Sequence, residues 1–435
     1  MADNPVARAL GRASFAGAFG DTAYARAMLA FERALAQAQA EAGLIPVAAA
    51  KAIAAACDSL QPSGEQLVAE ARRAGSLAIP LVKALTEEVR KAYPAAAAFV
   101  HYGSTSQDVL DSTLVLCIKP CLEVADRVLA SAARQFAIHA RRHARTLMLG
   151  RTLMQPASPM SAGLKIARWA ATLARCRERL GAAAQRALCV QLGGAVGALD
   201  ALGAKRLAVR SSVARQLGLA DVPAWHTQRD VLLALAAELA IVTGAIGKIA
   251  HDVALLSQAE VQEMQESQDG GGSTVMPHKR NPVACMQALA AAARAPGLLA
   301  TLLHVADQEH ERALGAWQAE LATWPDLVDN AGGALEAIER IAAGLVVHPQ
   351  RMTANLEAMQ GLAYSERLAR HLAARMDRGA ASARVEELCA QAVKEGRHLK
   401  AVAGPALGED LERVFSADAV LADLQPALEE QLAGL

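Results

Sequence analysis

Residues 109–149 read VLDSTLVLCIKPCLEVADRVLASAARQFAIHARRHARTLML, an apolar pattern with few breakers that runs far beyond the mean helix of about 11 to 12 residues. Three further stretches, 159–192, 228–265 and 283–347, behave the same way. Helices of that length need long partners to cover them, so the pattern predicts a long helical bundle. Composition agrees. Of the residues 53% are hydrophobic but only 3% aromatic and 20% charged, so the apolar content is mainly Ala, Leu and Val, and Ala and Leu are strong helix formers. Ala-rich faces allow close helix approach, and the expectation is an all-α chain whose bundle is shared between copies in a homo-oligomer.

On the N-terminal side, Ala25, Met28, Leu29, Phe31, Leu35 and Ala38 fall near i, i+3, i+4, i+7 spacing after Asp21 and Thr22, which can cap a helix; Gly43 and Pro46 stop it. Shorter helices are expected over 47–57, from the break at 62–64 to Arg73, and over 81–91, with 75–80 as a loop. After His348-Pro349 the helices shorten again, with breaks expected at Gly361, Gly379, Gly396 and Gly404-Pro405. The expected division is an N-terminal helical domain at 1–108, a central bundle at 109–347 and a C-terminal helical domain at 348–435. No alternating strand pattern stands out.

The 44 basic and 44 acidic residues balance to a formal net charge of zero, which argues against nucleic acid or an anionic membrane as a partner. Seven cysteines form no CxxC pair and mostly sit in apolar helical stretches, so they read as core residues in a reducing compartment. The N-terminus, MADNPVARALGRASFAG, has no unbroken apolar run, and 232–250 contains Glu238, Thr243 and Lys248, which leaves it short of a membrane span. A cytoplasmic location is expected.

Four polar stretches rich in Gly, Ser and Thr interrupt the helices: 101–108, 150–158, 225–230 and 267–282. The last is Ser267-Gln-Asp-Gly-Gly-Gly-Ser-Thr-Val-Met-Pro-His-Lys-Arg-Asn-Pro282. Its three glycines give a hinge and unhindered N–H groups, Ser273 and Thr274 supply hydroxyls, Lys279 and Arg280 supply cations, and Asn281-Pro282 is placed to open the next helix. Such a loop can close over an anionic ligand and exclude water.

Gly272-Ser-Thr-Val-Met-Pro-His-Lys-Arg-Asn-Pro282 resembles the G-S-S-x-M-P-x-K-x-N-P signature of the fumarase/aspartase/argininosuccinate lyase superfamily, with Thr274 in place of the second Ser. His101-Tyr-Gly-Ser-Thr-Ser-Gln-Asp108 resembles the superfamily's first signature region, and Gly150-Arg-Thr-Leu-Met-Gln155 its second. Residues 28–36, 78–83, 225–230 (Trp-His-Thr-Gln-Arg-Asp) and 308–315 (Gln-Glu-His-Glu-Arg-Ala-Leu-Gly) are similar to the superfamily's cycloisomerase branch, whose members lactonise a carboxylated cis,cis-muconate in protocatechuate breakdown. The resemblance implies an all-α subunit of three helical units, a homotetramer whose active sites each draw the three signature regions from three subunits, a small tricarboxylate substrate, and no cofactor or metal.

Leu153 is the informative departure. Many amine-eliminating relatives read G-R-T-H-x-Q, the His donating a proton to the leaving group, and leucine cannot donate one. General acids are commonly worth about 10²–10⁴-fold. In the carboxymuconate reaction the group that adds or leaves is a carboxylate, whose pKa of about 4 makes it a good leaving group when ionised. Leu153 therefore weighs toward the cycloisomerase and against a lyase that cleaves a C–N bond in a succinyl-type substrate. A non-catalytic structural homologue is the remaining alternative, against which stand Ser273, Lys279 and Asn281.

By the same resemblance, Ser273 is the residue that exchanges the α-proton, and Lys279, Asn281 and the glycine-loop N–H groups stabilise its oxyanion. Thr105, Ser106 and Gln155 match the family's carboxylate-binding positions, His101 reads equally as a substrate contact or a packed loop histidine, and Ser104, Thr274 and Met276 complete the substrate-binding set, with Arg229 and Arg312 added as carboxylate clamps because guanidinium pairs bidentately with carboxylate. For Arg229 a helix-surface salt bridge is the competing reading. The run Gly193-Gly-Ala-Val-Gly197 lacks a βαβ context and reads as a tight backbone approach near the site. His139 and His143 have metal-compatible spacing, but Arg141, Arg142 and Arg145 would repel a cation. His226 and His310 are divided between a site role and a structural one, and His278 reads as a solvent-facing loop residue.

Overall fold

The computed structural model describes residues 4–267, 271–272 and 275–435. Its class is all-α, with two short antiparallel ribbons among the described residues. Helix α1 (Asp21–Glu41) begins and ends where expected, although the cap position is Gly20 and Asp21 lies in the first turn, where its charge complements the helix dipole. Val47–Ser59 and Gly64–Ala74 follow. The next helix, Ala78–Ala92, starts inside the expected loop, because Pro80 falls in its first turn, where no backbone donor is needed.

The four long runs become five helices: α2 (Ser106–Arg142), α3 (Ala162–Ala187), α4 (Asp230–Leu256), α5 (Val283–His304) and α6 (Ala316–Gly344). Each run is shorter than expected, 159–192 and 228–265 by ending at Ala187 and Leu256, and the other two for reasons visible in the structure. Residues 109–149 stop being helical at Arg142, because β1 (Leu147–Thr152) pairs with β2 (Gln155–Ser161) in an antiparallel hairpin. Pro156 and Pro159 are barred from a helix interior, whereas Leu147-Met148-Leu149 reads equally as helix or buried strand. The register slips by one between Leu149 and Arg151, and at Gly150 a Cβ would lie 2.6 Å from the Ser158 carbonyl oxygen. Leu153 and Met154 form the turn with φ of 50° and 64°, the left-handed conformation that a two-residue hairpin turn favours. The other run, 283–347, is broken by the loop between α5 and α6. Of the C-terminal breaks, Gly361 and Gly396 sit at left-handed junctions, but Gly379 lies in the first turn of Arg378–Glu395, and Gly404-Pro405 lie inside Leu399–Leu407.

By its contacts the chain divides into two units: Met1–Val128, Cys176–Ile246 and Gln287–Glu336 form the first, and Leu129–Arg175, Gly247–Met286 and Ala337–Leu435 the second. In the first, α1 packs on Val47–Ser59 and Arg206–Leu217 around buried Met28, Phe31, Leu35 and Ile53. Full burial of such side chains stabilises by about 1.5–3 kcal/mol each. Gly332 and Gly333 let the short helices Pro5–Leu10 and Ala13–Ala18 lie directly on α6, since a Cβ on Gly333 would stand 2.0 Å from the Leu10 carbonyl oxygen. In the second unit, Phe136 of α2 and Trp169 of α3 meet edge to face with ring centroids 5.6 Å apart, and Trp169 Nε1 donates to Asp252 of α4 at 2.9 Å. Leu368, Leu388, Leu399 and Ala403 form a separate C-terminal core. Six of the cysteines are buried, and none is in a disulfide.

By length and composition α4 and α5 could each cross a membrane, with mean hydropathy 1.8 and 1.4, which revises the expectation that 232–250 falls short. Only 44% and 33% of their apolar windows are buried within the chain, and Ile241, Met286 and Leu303 are exposed on them.

A close helix approach in the second unit is at Gly163, where a Cβ would lie 2.4 Å from the Ala140 carbonyl oxygen and 2.7 Å from Ala144 Cα. Gly163→Ala is expected to lower stability by about 1–3 kcal/mol, read as a shift in denaturant midpoint. An unchanged midpoint would show that the two helices separate without loss.

Candidate active site

One buried carboxylate builds the turn that opens α2. Asp108 accepts hydrogen bonds from the backbone N–H groups of Gly193 (2.8 Å), Gly194 (2.9 Å) and Thr105 (3.1 Å), from Gln191 Nε2 (3.0 Å) and from Ser104 Oγ (3.4 Å). The bond to Thr105 is half of a capping box, in which an acidic residue at the third helical position reaches back to the cap amide. Burial pushes the Asp108 carboxyl up to about 6, against the pull of the Gly193, Gly194, Gln191 and Thr105 donors, which favour the charged form. The same bonds draw the glycine run against 101–108, the tight approach expected there. A Cβ on Gly193 would lie 2.7 Å from His226 Cε1 and 2.8 Å from Ala224 Cβ. His101, with φ of 59°, places Nδ1 2.6 Å from Glu32 Oε1. Burial acts to lower the His101 pKa, but the Glu32 carboxylate outweighs it, and the net shift is upward.

Thr105 stands beside Arg312. Arg312, exposed on the loop before α6, donates from Nη2 to Thr105 Oγ1 (2.7 Å) and to the Ala195 carbonyl (3.3 Å), and from Nε to Gln107 Oε1 (3.2 Å). An exposed guanidinium beside a hydroxyl at a helix N-terminus is well arranged to take a carboxylate. His226 is buried with φ of 27°, and its Nδ1 accepts from Gln191 Nε2 at 2.6 Å. The Gln191 amide is oriented by the Trp225 and His226 N–H groups that its oxygen accepts, at 2.8 and 3.1 Å. The His226 proton is thus assigned to Nε2, which has no hydrogen-bond partner among the described residues. Burial and the Arg312 charge hold this imidazole below its ordinary pKa.

Arg229 corrects both readings offered for it. It is 3% exposed, so it is neither a clamp nor a surface salt bridge. Its Nε and Nη2 donate to Glu320 (2.9 and 2.8 Å), its Nη1 and Nη2 to Asp111 (2.7 and 3.1 Å), and Nη1 also to the His226 carbonyl (2.8 Å). All five N–H groups are therefore committed inside the protein. Trp317 Nε1 donates to Asp111 and Gln308 Nε2 to Glu320, at 2.9 and 2.8 Å. Burial pushes the Glu320 carboxyl up against the opposing pull of Arg229.

The second unit holds the remaining described candidates. Gln155 is exposed at the start of β2, next to Leu153 and Met154, whose side chains are 97% and 69% exposed. Next to the closing pair of the hairpin, Arg151 pairs bidentately with buried Glu263 (2.8 and 2.7 Å), which Asn355 Nδ2 also reaches at 2.8 Å. Asn281-Pro282 does not cap α5. The carboxylate of Glu266 takes the N–H groups of Ala284 and Cys285, both at 2.9 Å, so the orphan donors are satisfied from the other end of the loop. The Asn281 N–H donates to the Gly271 carbonyl at 2.9 Å, and that of Lys279 to the Met276 carbonyl at 3.0 Å; Met276, Lys279 and Asn281 are exposed. Ser273 and Thr274 lie outside the described residues.

The first unit thus gathers Ser104, Thr105, Ser106 and Arg312, with His101 in the same turn, while Gln155, Met276, Lys279 and Asn281 belong to the second. Sequence reading leaves out Gln107, Asp108, Gln191 and Glu266. The Thr105-x-x-Asp108 spacing is a signal for the second of these; the others carry none.

A family model described as lyase matches residues 11–297. The chain is 44% identical over 401 residues to the 3-carboxy-cis,cis-muconate cycloisomerase of Bradyrhizobium diazoefficiens, spanning 91% of this chain and 89% of that protein. It is 42% identical over 426 residues to the protein of the same name from Pseudomonas aeruginosa, spanning 95% and 93%. Among solved structures, the 3-carboxy-cis,cis-muconate lactonizing enzyme of Pseudomonas putida is similar with a TM-score of 0.92 at 39% identity, over 99% of this chain and 98% of that one.

Removing one partner of a buried ion cluster leaves charges uncompensated. Arg229→Met is expected to lower stability by about 3–5 kcal/mol in a denaturant titration. A loss below about 1 kcal/mol, the range of an exposed pair, would sink the buried-triad account.

Proposed function

The chain belongs to the lyase family of the fumarase/aspartase/argininosuccinate lyase superfamily, and from that membership we propose that it is a cycloisomerase converting 3-carboxy-cis,cis-muconate to a carboxymuconolactone. The observation that carries this reading is the near full-length likeness to proteins of that name, at 44% and 42% identity. Leu153 supports it from the chemistry: an ionised carboxylate needs no proton to leave, whereas an amine does.

One substrate carboxylate adds to an alkene carbon, forming a C–O bond. The alkene electron pair moves to the neighbouring carbon and into its carboxylate, giving an enediolate. Negative charge develops there, so donors fixed in advance at that position lower the barrier. Ser273 gives its hydroxyl proton to the carbon, and Lys279, Asn281 and the loop N–H groups stabilise the alkoxide until solvent restores the proton. Thr105 and Arg312 hold a carboxylate that does not react, with His101, Ser104, Ser106, Gln155, Thr274 and Met276 completing the binding set. The substrate is a small tricarboxylate, and its place is in aromatic catabolism in the cytoplasm.

We read the subunit as three successive segments, 1–108, 109–347 and 348–435, assembled as a homotetramer in which three subunits contribute to each site. The uncovered apolar windows of α4 and α5 support an assembly that buries them.

Ser273→Ala is expected to lower turnover of 3-carboxy-cis,cis-muconate by about 10²–10⁴-fold or more, followed as loss of muconate absorbance, with an unchanged far-UV circular dichroism spectrum. Near wild-type turnover would remove Ser273 as the proton donor. Leu153→His is expected to bring no gain in lactonisation, and a large gain would contradict the leaving-group argument. Fumarate release from a succinyl substrate, with no loss of muconate absorbance, would move the function to a C–N lyase.

A further inference from the structure

We propose that Gln107 is the positioning residue that aims Arg312 at its carboxylate, an inference that rests on the substrate-binding role proposed for Arg312. Gln107 is wholly buried. Its Nε2 donates to Asp111 Oδ2 (3.2 Å) and to the His226 carbonyl (3.1 Å), and its Oε1 accepts from Arg312 Nε (3.2 Å). A carboxylate and a carbonyl can only accept, so the amide nitrogen must face them, and the amide oxygen is left for Arg312. The orientation of the side chain is therefore dictated by its surroundings.

Both acceptors are anchored in turn. Asp111 Oδ1 is held by Trp317 Nε1 (2.9 Å) and Arg229 Nη2 (3.1 Å), and the His226 carbonyl by Arg229 Nη1 (2.8 Å). Gln107 thus carries the rigidity of the buried triad out to an exposed guanidinium. The loop bearing Arg312 is fastened to neighbouring residues at two further points, Gln308 Nε2 on Glu320 (2.8 Å) and Thr227 Oγ1 on the His310 carbonyl (3.0 Å). With Nε on Gln107 and Nη2 on Thr105 and Ala195, the plane of the guanidinium is set, and among the described residues Nη1 has no acceptor. That is the edge left for a ligand carboxylate. Glutamate at this position could accept from Arg312, but it would set a second charge against Asp111, and an apolar side chain would release Arg312 Nε.

Gln107→Met keeps the chain length, and Arg229 still serves both Asp111 Oδ2 and the His226 carbonyl, so the fold is expected to survive. The expected result is a KM for 3-carboxy-cis,cis-muconate raised about tenfold with kcat within about threefold, the pattern of lost uniform binding. Because Gln107 acts through Arg312, the double variant with Arg312→Met should be no worse than Arg312→Met alone. A wild-type KM in Gln107→Met, or additive losses in the double variant, would overturn the proposal. Should Gln107→Met fail to fold, Gln107→Glu completes the same cycle. Its carboxylate neutralises the guanidinium, so KM should rise by more than tenfold, and an unchanged KM overturns the proposal equally. Wild-type turnover is the control that separates the two levels: its absence would overturn the reaction assignment and this inference together, whereas turnover with an additive cycle would overturn only the role of Gln107.

Discussion

The first unit's polar architecture depends on one guanidinium buried between two carboxylates. Arg229, Asp111 and Glu320 are all buried and their formal charges sum to minus one, and neutral donors face the carboxylates: the indoles of Trp317 and Trp324 and the amides of Gln107 and Gln308. A buried ion cluster of this kind seldom adds net stability over an apolar core of equal volume, because desolvation offsets the attraction. What it supplies is geometry. The donors recruited to balance the charge come from the first turn of α2, from the loop before α6 and from α6 itself, so electrostatic satisfaction and positional order are obtained by the same bonds.

Around that core the ionisable groups are sorted by their neighbours. Burial alone would leave His101 neutral, yet Glu32 favours its charged form, whereas His226 is kept neutral by burial and by Arg312. Asp108 lies between these behaviours, pushed up by desolvation and held back by amides. Two imidazoles in one neighbourhood thus carry opposite preferences, and an anion arriving there meets Arg312 without a uniformly positive wall. This is how a chain with 44 positive and 44 negative residues can present a local anion site while its overall field stays near zero.

The long helices were legible because a 3.6-residue pattern repeated over many turns leaves little room for another reading, and the loop motif at 272–282 carried the family before any geometry was known. The limits are equally physical. Arg229 next to Asp230 at a helix start looks like a surface residue; its burial depends on Asp111 and Glu320, which are 118 and 91 positions away. The hairpin at 147–161 was hidden because three consecutive apolar residues fit helix and strand alike. Glu266 could not be read as the cap of α5, since the convention of looking just ahead of a helix points to Asn281, while the carboxylate that reaches the amides comes from before the loop. Gln107 sat inside a quoted motif and still escaped notice, because its role lies in which way an amide faces.

The turn at Leu153 and Met154 has a consequence of its own. Left-handed backbone at two residues with side chains raises the energy by roughly 1–2 kcal/mol each, and neither is glycine or asparagine. The ladder closes directly beneath them, Thr152 against Gln155, and the ion pair of Arg151 with Glu263 fixes the strand below. Two large apolar side chains are therefore held out from the surface on a backbone with few alternative shapes. Most of the conformational entropy that such a tip would lose on being enclosed is already lost when the chain folds, so a complementary surface would gain contact area from it with little further ordering.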